Sequence, residues 1–372
     1  LFKRELWRNF DFLLFGGVLF LGVLGVVVVN SAIAGSIGLE GLAQRQAQFL
    51  AIGLVVIVGV AIVDYRYLAP LSPIMYMIII GSLIFIYVFG FAAFGSRRWV
   101  TVAGTNIQPS EIARQVLILV LANYFAMKKD EPKNWNWVMQ SAALMGLVFI
   151  LVVIQPDLSS SIVLAVIWFA MIWLAGVPVK YLIYLILIAM LIVAIVLALG
   201  ILPDYMMRRI NNFLVPDEEA SYGEQYNIQQ ALITIGSGGW FGQGYQQSSQ
   251  VQLRFQKVRH TDFIFSVVAA EFGLVGAGVV MGALLFIFWR CFVIAKNAED
   301  LYGALIAYGI GVVMAFQTVV NIGVNLNLLP VTGLTLPFIS YGGSSMVSLC
   351  LGIGLVESVA MHTAAKRPDA LV

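Results

Sequence analysis

What most constrains this chain is the length and succession of its apolar runs. They fall near 12–30, 47–63, 68–92, 111–127, 137–154, 158–175, 180–200, 263–291, 302–322 and 339–361. A helix needs about 20 predominantly apolar residues to cross the hydrocarbon core of a bilayer. The pattern therefore predicts an all-α fold, a polytopic integral membrane protein with about ten transmembrane helices in one membrane domain spanning 1–372. Charged residues are 11% of the chain, against about a quarter in a water-soluble globule, so a soluble reading is excluded. The net charge of +2 gives no ground for a nucleic-acid partner. Phe12 to Val29 is too long and continuous for a signal-peptide core and reads as a first span. Cys291 and Cys350 both lie in apolar runs, so no disulfide framework is indicated.

An even number of spans puts both termini on one side, and Lys and Arg decide which. With cytoplasmic termini the inner segments hold about twelve basic residues, among them Lys3, Arg4, Arg8, Arg66, Lys128, Lys129, Lys133, Lys296 and Arg367. The short outer loops hold four, Arg45, Arg97, Arg98 and Arg114. That bias predicts both termini in the cytoplasm. The polar stretch 201–262 then faces outward as a large extracytoplasmic loop, and so do 93–110, 155–157 and 323–338.

Within the outer loop Arg208 and Arg209 come soon after the span ending near Gly200. From Glu224, the spacing of Ile228, Ala231, Leu232 and Ile235 marks one face of an amphipathic helix over 224–235, suited to lying at the membrane interface. Gly236-Ser237-Gly238-Gly239-Trp240-Phe241-Gly242-Gln243-Gly244 follows a helix and lacks a Lys-Ser/Thr, so it reads as a flexible loop with interfacial aromatics rather than a phosphate loop. The loop closes on Arg259-His260-Thr261-Asp262, immediately before an apolar run. Asp262 there is either the N-cap of the next helix or a chemical group at the lipid–water boundary.

Other polar residues sit where lipid disfavours them. Pro109 suits a first helical turn, and Glu111 and Arg114, three apart, share a face. This is a helix start with a local ion pair, or part of an anion site to which Arg97 and Arg98 contribute. Asp157, in Gln155-Pro156-Asp157-Leu158, caps the following helix or serves function at the outer mouth. Glu271 lies about two and a half turns into the helix after Asp262 and should face a partner or cavity. Asn325 to Gly343 is irregular at membrane depth, which requires protein or a wet cavity around it.

The outer surface offers no nucleotide substrates, so synthesis there requires an activated lipid. No His-Glu-x-x-His, Cys/His cluster or Gly-x-Ser-x-Gly is present. Several Arg, a few carboxylates and an interfacial groove suit displacement of a lipid-linked pyrophosphate by a hydroxyl, with a carboxylate taking the proton. The same set suits a transporter that flips such a lipid. At this level the two readings stand together.

Arg98-Trp99 with Gln108-Pro109-Ser110-Glu111, Gln155-Pro156-Asp157-Leu158, Ile235-Gly236-Ser237-Gly238-Gly239, His260-Thr261-Asp262-Phe263-Ile264-Phe265, and Leu329-Pro330 through Ile339-Ser340-Tyr341-Gly342-Gly343-Ser344 together resemble the SEDS family, which comprises RodA, FtsW and SpoVE. The resemblance runs through nearly the whole chain in the family's order. Arg259 before His260 is closer to RodA, while Asn321 to Leu336 is nearer FtsW. The resemblance implies a ten-span peptidoglycan glycosyltransferase of the bacterial cytoplasmic membrane, polymerising lipid II into undecaprenyl-linked glycan at the outer leaflet in cell elongation. It also implies a class B penicillin-binding protein as partner. Carried over by position, Asp262 matches the catalytic aspartate, and Gln108, Glu111 and Asp157 match polar positions tied to activity. His260, Thr261 and Ser344 fall in the same motif blocks as substrate-side residues. Arg114 stands where the family often has Lys, and Asn106 where an Arg is frequent, so Arg97, Arg98, Arg208 and Arg209 are the candidates to complete the pyrophosphate contacts. No cofactor is implied beyond a divalent cation, Mg or Mn, as an aid to the leaving group. A lipid II flippase and a non-catalytic scaffold for a penicillin-binding protein are the competing expectations.

Overall fold

A computed structural model describes residues 7–36, 38–89, 91–93, 96–102, 105–200, 204–214, 223–256 and 258–363, with 91–107 described by backbone alone. Its apolar helices are α1 (Phe12–Ile33), α2 (Leu42–Ile62), α3 (Leu68–Phe89), α4 (Pro109–Met127), α5 (Trp135–Ile154), α6 (Leu158–Leu174) and α7 (Val179–Ala198). Then come α8 (Asp204–Leu214), α9 (Glu224–Ser237) and the single turn α10 (Ser249–Gln252), and the long helices α11 (Ile264–Asn297), α12 (Leu301–Asn325) and α13 (Gly343–His362) close the chain. Among the described residues nine helices are long and apolar enough to cross a bilayer, and α6, seventeen residues long, is the shorter tenth. The all-helical expectation therefore holds for the membrane body.

Local chemistry starts these helices where the apolar runs begin. Asp11 accepts the amide of Leu14 at 3.0 Å, and Asn134 accepts that of Trp137 at 2.9 Å. Asp300 accepts that of Gly303 at 2.7 Å, and Pro109 opens α4. Each cap satisfies an amide that the first turn leaves orphaned. α4, α12 and α13 are enclosed by the other helices, whereas α7 is exposed along most of its length.

Three features depart from the sequence reading. Around the segment expected as an outer loop the backbone forms an antiparallel meander, β1 (Phe91–Ala93), β2 (Ser96–Val102) and β3 (Thr105–Ile107), with Trp99 opposite Phe91 and Val100 opposite Ile107. Val100, Thr101, Val102, Thr105 and Ile107 supply the β-branched residues that favour strands. The buried face of α9 also runs through Gln225, Ile228, Ala231 and Thr234, leaving Leu232 exposed, so it is rotated from the expected apolar stripe. Thr234 tolerates burial because its hydroxyl donates to the Gln230 carbonyl one turn back.

The glycine-rich stretch after α9 is not a flexible loop. α11 breaks at Gly273 (φ 68°, ψ −167°), a conformation that L side chains rarely adopt. The 239–244 backbone fills the break. Gln243 N donates to Ala270 O at 2.9 Å and Gly244 N to Glu271 O at 3.0 Å, while Leu274 N and Val275 N donate to Gly239 O and Trp240 O at 2.9 and 3.1 Å. A Cβ on Gly242 would lie 2.1 Å from Glu271 O, so glycine serves close backbone approach here. Broken backbone at membrane depth persists only when protein satisfies it, and this segment does so. Trp240 and Phe241 remain outside, 67% and 83% exposed.

Candidate active site

Asp262 sits in the turn between α10 and α11, half-buried. Its backbone carbonyl accepts two side-chain amides from α12, Asn321 Nδ2 and Asn325 Nδ2, each at 3.0 Å. Asn321 Nδ2 also reaches Leu334 O at 2.8 Å, and Asn325 Oδ1 accepts Ser266 N at 3.2 Å. The neighbouring residues are pinned from the other side. Ser340 Oγ donates to Thr261 O at 2.7 Å, and Tyr341 N donates to His260 O at 2.9 Å. The Asp262 carboxylate lies against Gly333, where a Cβ would stand 3.8 Å from Oδ2.

His260 and Thr261 hold this turn. Thr261 Oγ1 donates to Val258 O at 3.2 Å, and the His260 ring lies 6.0 Å from that of Tyr341. Burial, and then the adjacent Arg259 charge, push the His260 pKa below the ordinary imidazole value. Arg259 is itself buried, with Nε on Ala32 O at 2.5 Å, Nη1 on Gln256 O at 2.8 Å and Nη2 on Ser36 Oγ at 2.7 Å. Burial, and then Arg254, lower its pKa. A cation on the last carbonyls of α1 complements that helix's negative end. Arg259 is thus a structural tie between α1 and the turn.

A second polar cluster joins the N-terminal ends of α4, α6 and α13. Asp157 caps α6 through Ser160 N at 3.2 Å. Its Oδ2 also accepts Gln108 Nε2 at 2.7 Å, Ser160 Oγ at 2.8 Å and Ser110 Oγ at 3.2 Å. The capping reading of Asp157 is therefore realised, and the same carboxylate also gathers side chains from α4. Glu111 and Arg114 form the expected i,i+3 pair, Nη1 to Oε2 at 2.7 Å, and Arg114 Nη2 donates to Ser160 Oγ at 2.8 Å. Arg114 is only 2% exposed. Its charge is used inside the bundle and not presented at a surface. Ser344 accepts Gln108 N at 3.1 Å, and Ser348 Oγ donates to Glu111 O at 2.8 Å, fastening α13 to α4.

The irregular segment 326–342 brings the two clusters together. Ser159 donates to Thr332 O, next to the Gly333 that faces Asp262. Thr335 and Ser345 hydroxyls meet at 2.9 Å, and Leu336 N donates to Ser340 Oγ at 2.8 Å. Of the remaining candidates, Arg208 is exposed and Arg209 half-buried on α8, and the backbone of Arg98 lies on β2 with its side chain outside the described residues. Asn321, Asn325 and Ser340 escaped the sequence reading. Two Asn four apart in an apolar helix were the available signal, because amides in lipid need partners. Among the described residues no three His, Cys, Asp or Glu side chains come together as a metal group.

A half-buried acid on a turn held by hydrogen bonds can accept a proton from a hydroxyl brought beside it. The family model for the FtsW, RodA and SpoVE group, described as cell cycle protein, matches residues 11–365. The probable peptidoglycan glycosyltransferase FtsW of Francisella salina is 41% identical over 71% of this chain and 66% of its own. The peptidoglycan glycosyltransferase MrdB of Escherichia coli K12 is 34% identical over 93% of this chain and 92% of its own. A solved chain from work titled "Structural coordination of polymerization and crosslinking by a peptidoglycan synthase complex" superposes with a TM-score of 0.80 at 30% identity, covering 94% of this chain and 97% of that one. The chain belongs to the FtsW, RodA and SpoVE family of membrane-spanning cell-cycle proteins.

Proposed function

We propose that this protein is a peptidoglycan glycosyltransferase that polymerises lipid II at the outer leaflet of the bacterial cytoplasmic membrane, with Asp262 as its general base. The observation that carries the reading is the clamping of Asp262. Two amides hold its carbonyl, and Ser340 and Tyr341 hold the residues before it. Fixing a base to fractions of an ångström is what proton abstraction in a single displacement requires.

In this mechanism the Asp262 carboxylate takes the proton of the 4-hydroxyl of an incoming GlcNAc. The oxygen forms its bond to the anomeric carbon of the terminal MurNAc as the bond to the undecaprenyl pyrophosphate oxygen breaks with its electron pair. Configuration inverts. The exposed Arg208, with Arg98 on β2, meets the leaving diphosphate. Arg114, enclosed and paired, instead holds Glu111, Ser160 and through it Asp157 and Gln108 in register, so that the α4–α6–α13 wall keeps its shape. No step is assigned to a divalent cation.

The partner is a class B penicillin-binding protein, supported by the likeness to a chain from a complex that couples polymerisation to crosslinking. The role is elongation and shape maintenance, supported by Arg259 before His260. Purified protein with its partner, given lipid II, should form glycan strands, and Asp262→Ala should form none while keeping its unfolding midpoint. Undiminished polymer from Asp262→Ala removes the catalytic assignment. Rescue of FtsW-depleted but not RodA-depleted cells removes the elongation assignment.

A further inference from the structure

The break at Gly273 leaves α11 in two pieces, and the first piece carries the catalytic turn. Ile264 to Glu271 is a short helix, about 12 Å long, whose eight residues are all buried. It starts two residues after Asp262. Its upper end is held by Asn325, which accepts Ser266 N at 3.2 Å. At its lower end the helix cannot rely on its own continuation, because helical hydrogen bonding stops at Gly273. Something else must hold that end.

Glu271 is placed to do so. Its side chain is 1% exposed. One carboxyl oxygen, Oε1, accepts the hydroxyl of Ser31 on α1 and the backbone amide of Gln246, the latter at 3.2 Å. The adjacent Tyr245 adds a second tie to α1, its hydroxyl accepting Asn30 Nδ2 at 3.0 Å and donating to Val27 O at 3.3 Å. The other carboxyl oxygen, Oε2, is buried without a hydrogen-bond partner. Burying a carboxyl is costly unless its bonds do something in return, and a small apolar residue would pack in the same place. Taken together, one side chain on the helix that follows Asp262 binds α1 and the 238–247 segment.

We propose that Glu271 is a positioning residue for glycosyl transfer. Its carboxyl clamps the 238–247 segment and α1 against the break in α11, and the buried helix above it transmits that position to Asp262. The inference rests on Asp262 as general base. It assigns Glu271 no contact with substrate.

The test is lipid II polymerisation by the full-length chain with its class B partner, comparing kcat and KM. Glu271→Ala removes both acceptor bonds and should lower kcat about tenfold or more with KM within about twofold, since the loss concerns alignment and not binding. Glu271→Gln keeps an oxygen for Ser31 and Gln246 and should stay within about threefold of the parent. Ser31→Ala should show a milder kcat defect that adds nothing to Glu271→Ala, because both act through one clamp. Gly242→Ala, whose Cβ would press on Glu271 O, should reproduce the kcat loss without touching the carboxyl. Should Glu271→Ala fail to accumulate, the milder kcat loss of Ser31→Ala at unchanged KM carries the test, and an unchanged kcat there overturns the clamp. Glu271→Gln as impaired as Glu271→Ala, or a KM rise at unchanged kcat, overturns the clamp. Asp262→Ala run alongside separates the two claims. If it is inactive while Glu271→Ala runs at the parental rate, only the positioning inference falls.

Discussion

Arg114 makes a buried charge testable by removal. Its guanidinium sits 2.7 Å from Glu111 Oε2 and 2.8 Å from Ser160 Oγ, with the two side chains of the ion pair 2% and 12% exposed. Arg114→Ala leaves the Glu111 carboxylate enclosed without its counter-charge and Ser160 without its donor. Breaking one partner of a buried pair costs about 3–5 kcal/mol, most of it from the charge left behind. Arg114→Lys keeps the charge but cannot span both acceptors in a fork, so about 1–3 kcal/mol should be lost with the Ser160 bond. The Glu111→Ala/Arg114→Ala double variant removes both charges. It should therefore be less destabilised than the sum of the singles by about 1.5 kcal/mol or more. Denaturant unfolding of the detergent-solubilised protein, followed by the fluorescence of its 8 Trp residues, measures all four. Polymer yield should follow the same order, with Arg114→Lys well above Arg114→Ala. The reasoning fails if the singles add within about 0.5 kcal/mol, for the two groups would then be uncoupled.

Other perturbations probe the turn and the break. Asn321→Leu deletes bonds to both Asp262 O and Leu334 O, and at about 1 kcal/mol for each neutral bond it should reduce polymerisation roughly tenfold or more; a gel-based assay at parental rate refutes the clamp on Asp262. His260, whose pKa lies below its ordinary value of 6.5, should be neutral at pH 7. With the folded pKa below the unfolded one, stability is complete above pH 6.5 and declines as pH falls toward the folded value. The unfolding midpoint of the parent should therefore drop more between pH 7 and 5 than that of His260→Gln, and parallel curves contradict the burial of a neutral imidazole. Gly273→Ala places a Cβ 2.3 Å from Gly242 N in a left-handed conformation, and should cost about 3 kcal/mol or more. An unchanged midpoint would mean that α11 does not break there.

Run length made the membrane body legible, because a bilayer of fixed thickness imposes one length on every span. The runs near 111–127 and 158–175 became Pro109–Met127 and Leu158–Leu174. Local polar chemistry was legible for the same reason that it is local. Glu111 and Arg114 are three apart on one helix, and Asp157 immediately precedes the turn that it caps. What spacing could not reveal is which distant acceptor each group finds. Gln108 reaches Asp157 across 49 residues and Asn321 reaches Asp262 across 59, and no periodicity encodes either meeting.

Glycine misled for a deeper reason. In 236–244 it reads as conformational freedom, and inside 263–291 Gly273 disappears among Gly276, Gly278 and Gly282 of an apolar run. Either signal alone is ambiguous, because a missing Cβ permits motion and close approach equally. Their meaning emerges only as a pair. Gly273 opens a gap in one backbone, and the bare strip at 238–242 is what can enter it and satisfy the exposed carbonyls and amides. A break in a transmembrane helix is unstable without such a guest, and a glycine-rich strip is unordered without such a host. Each supplies the condition for the other.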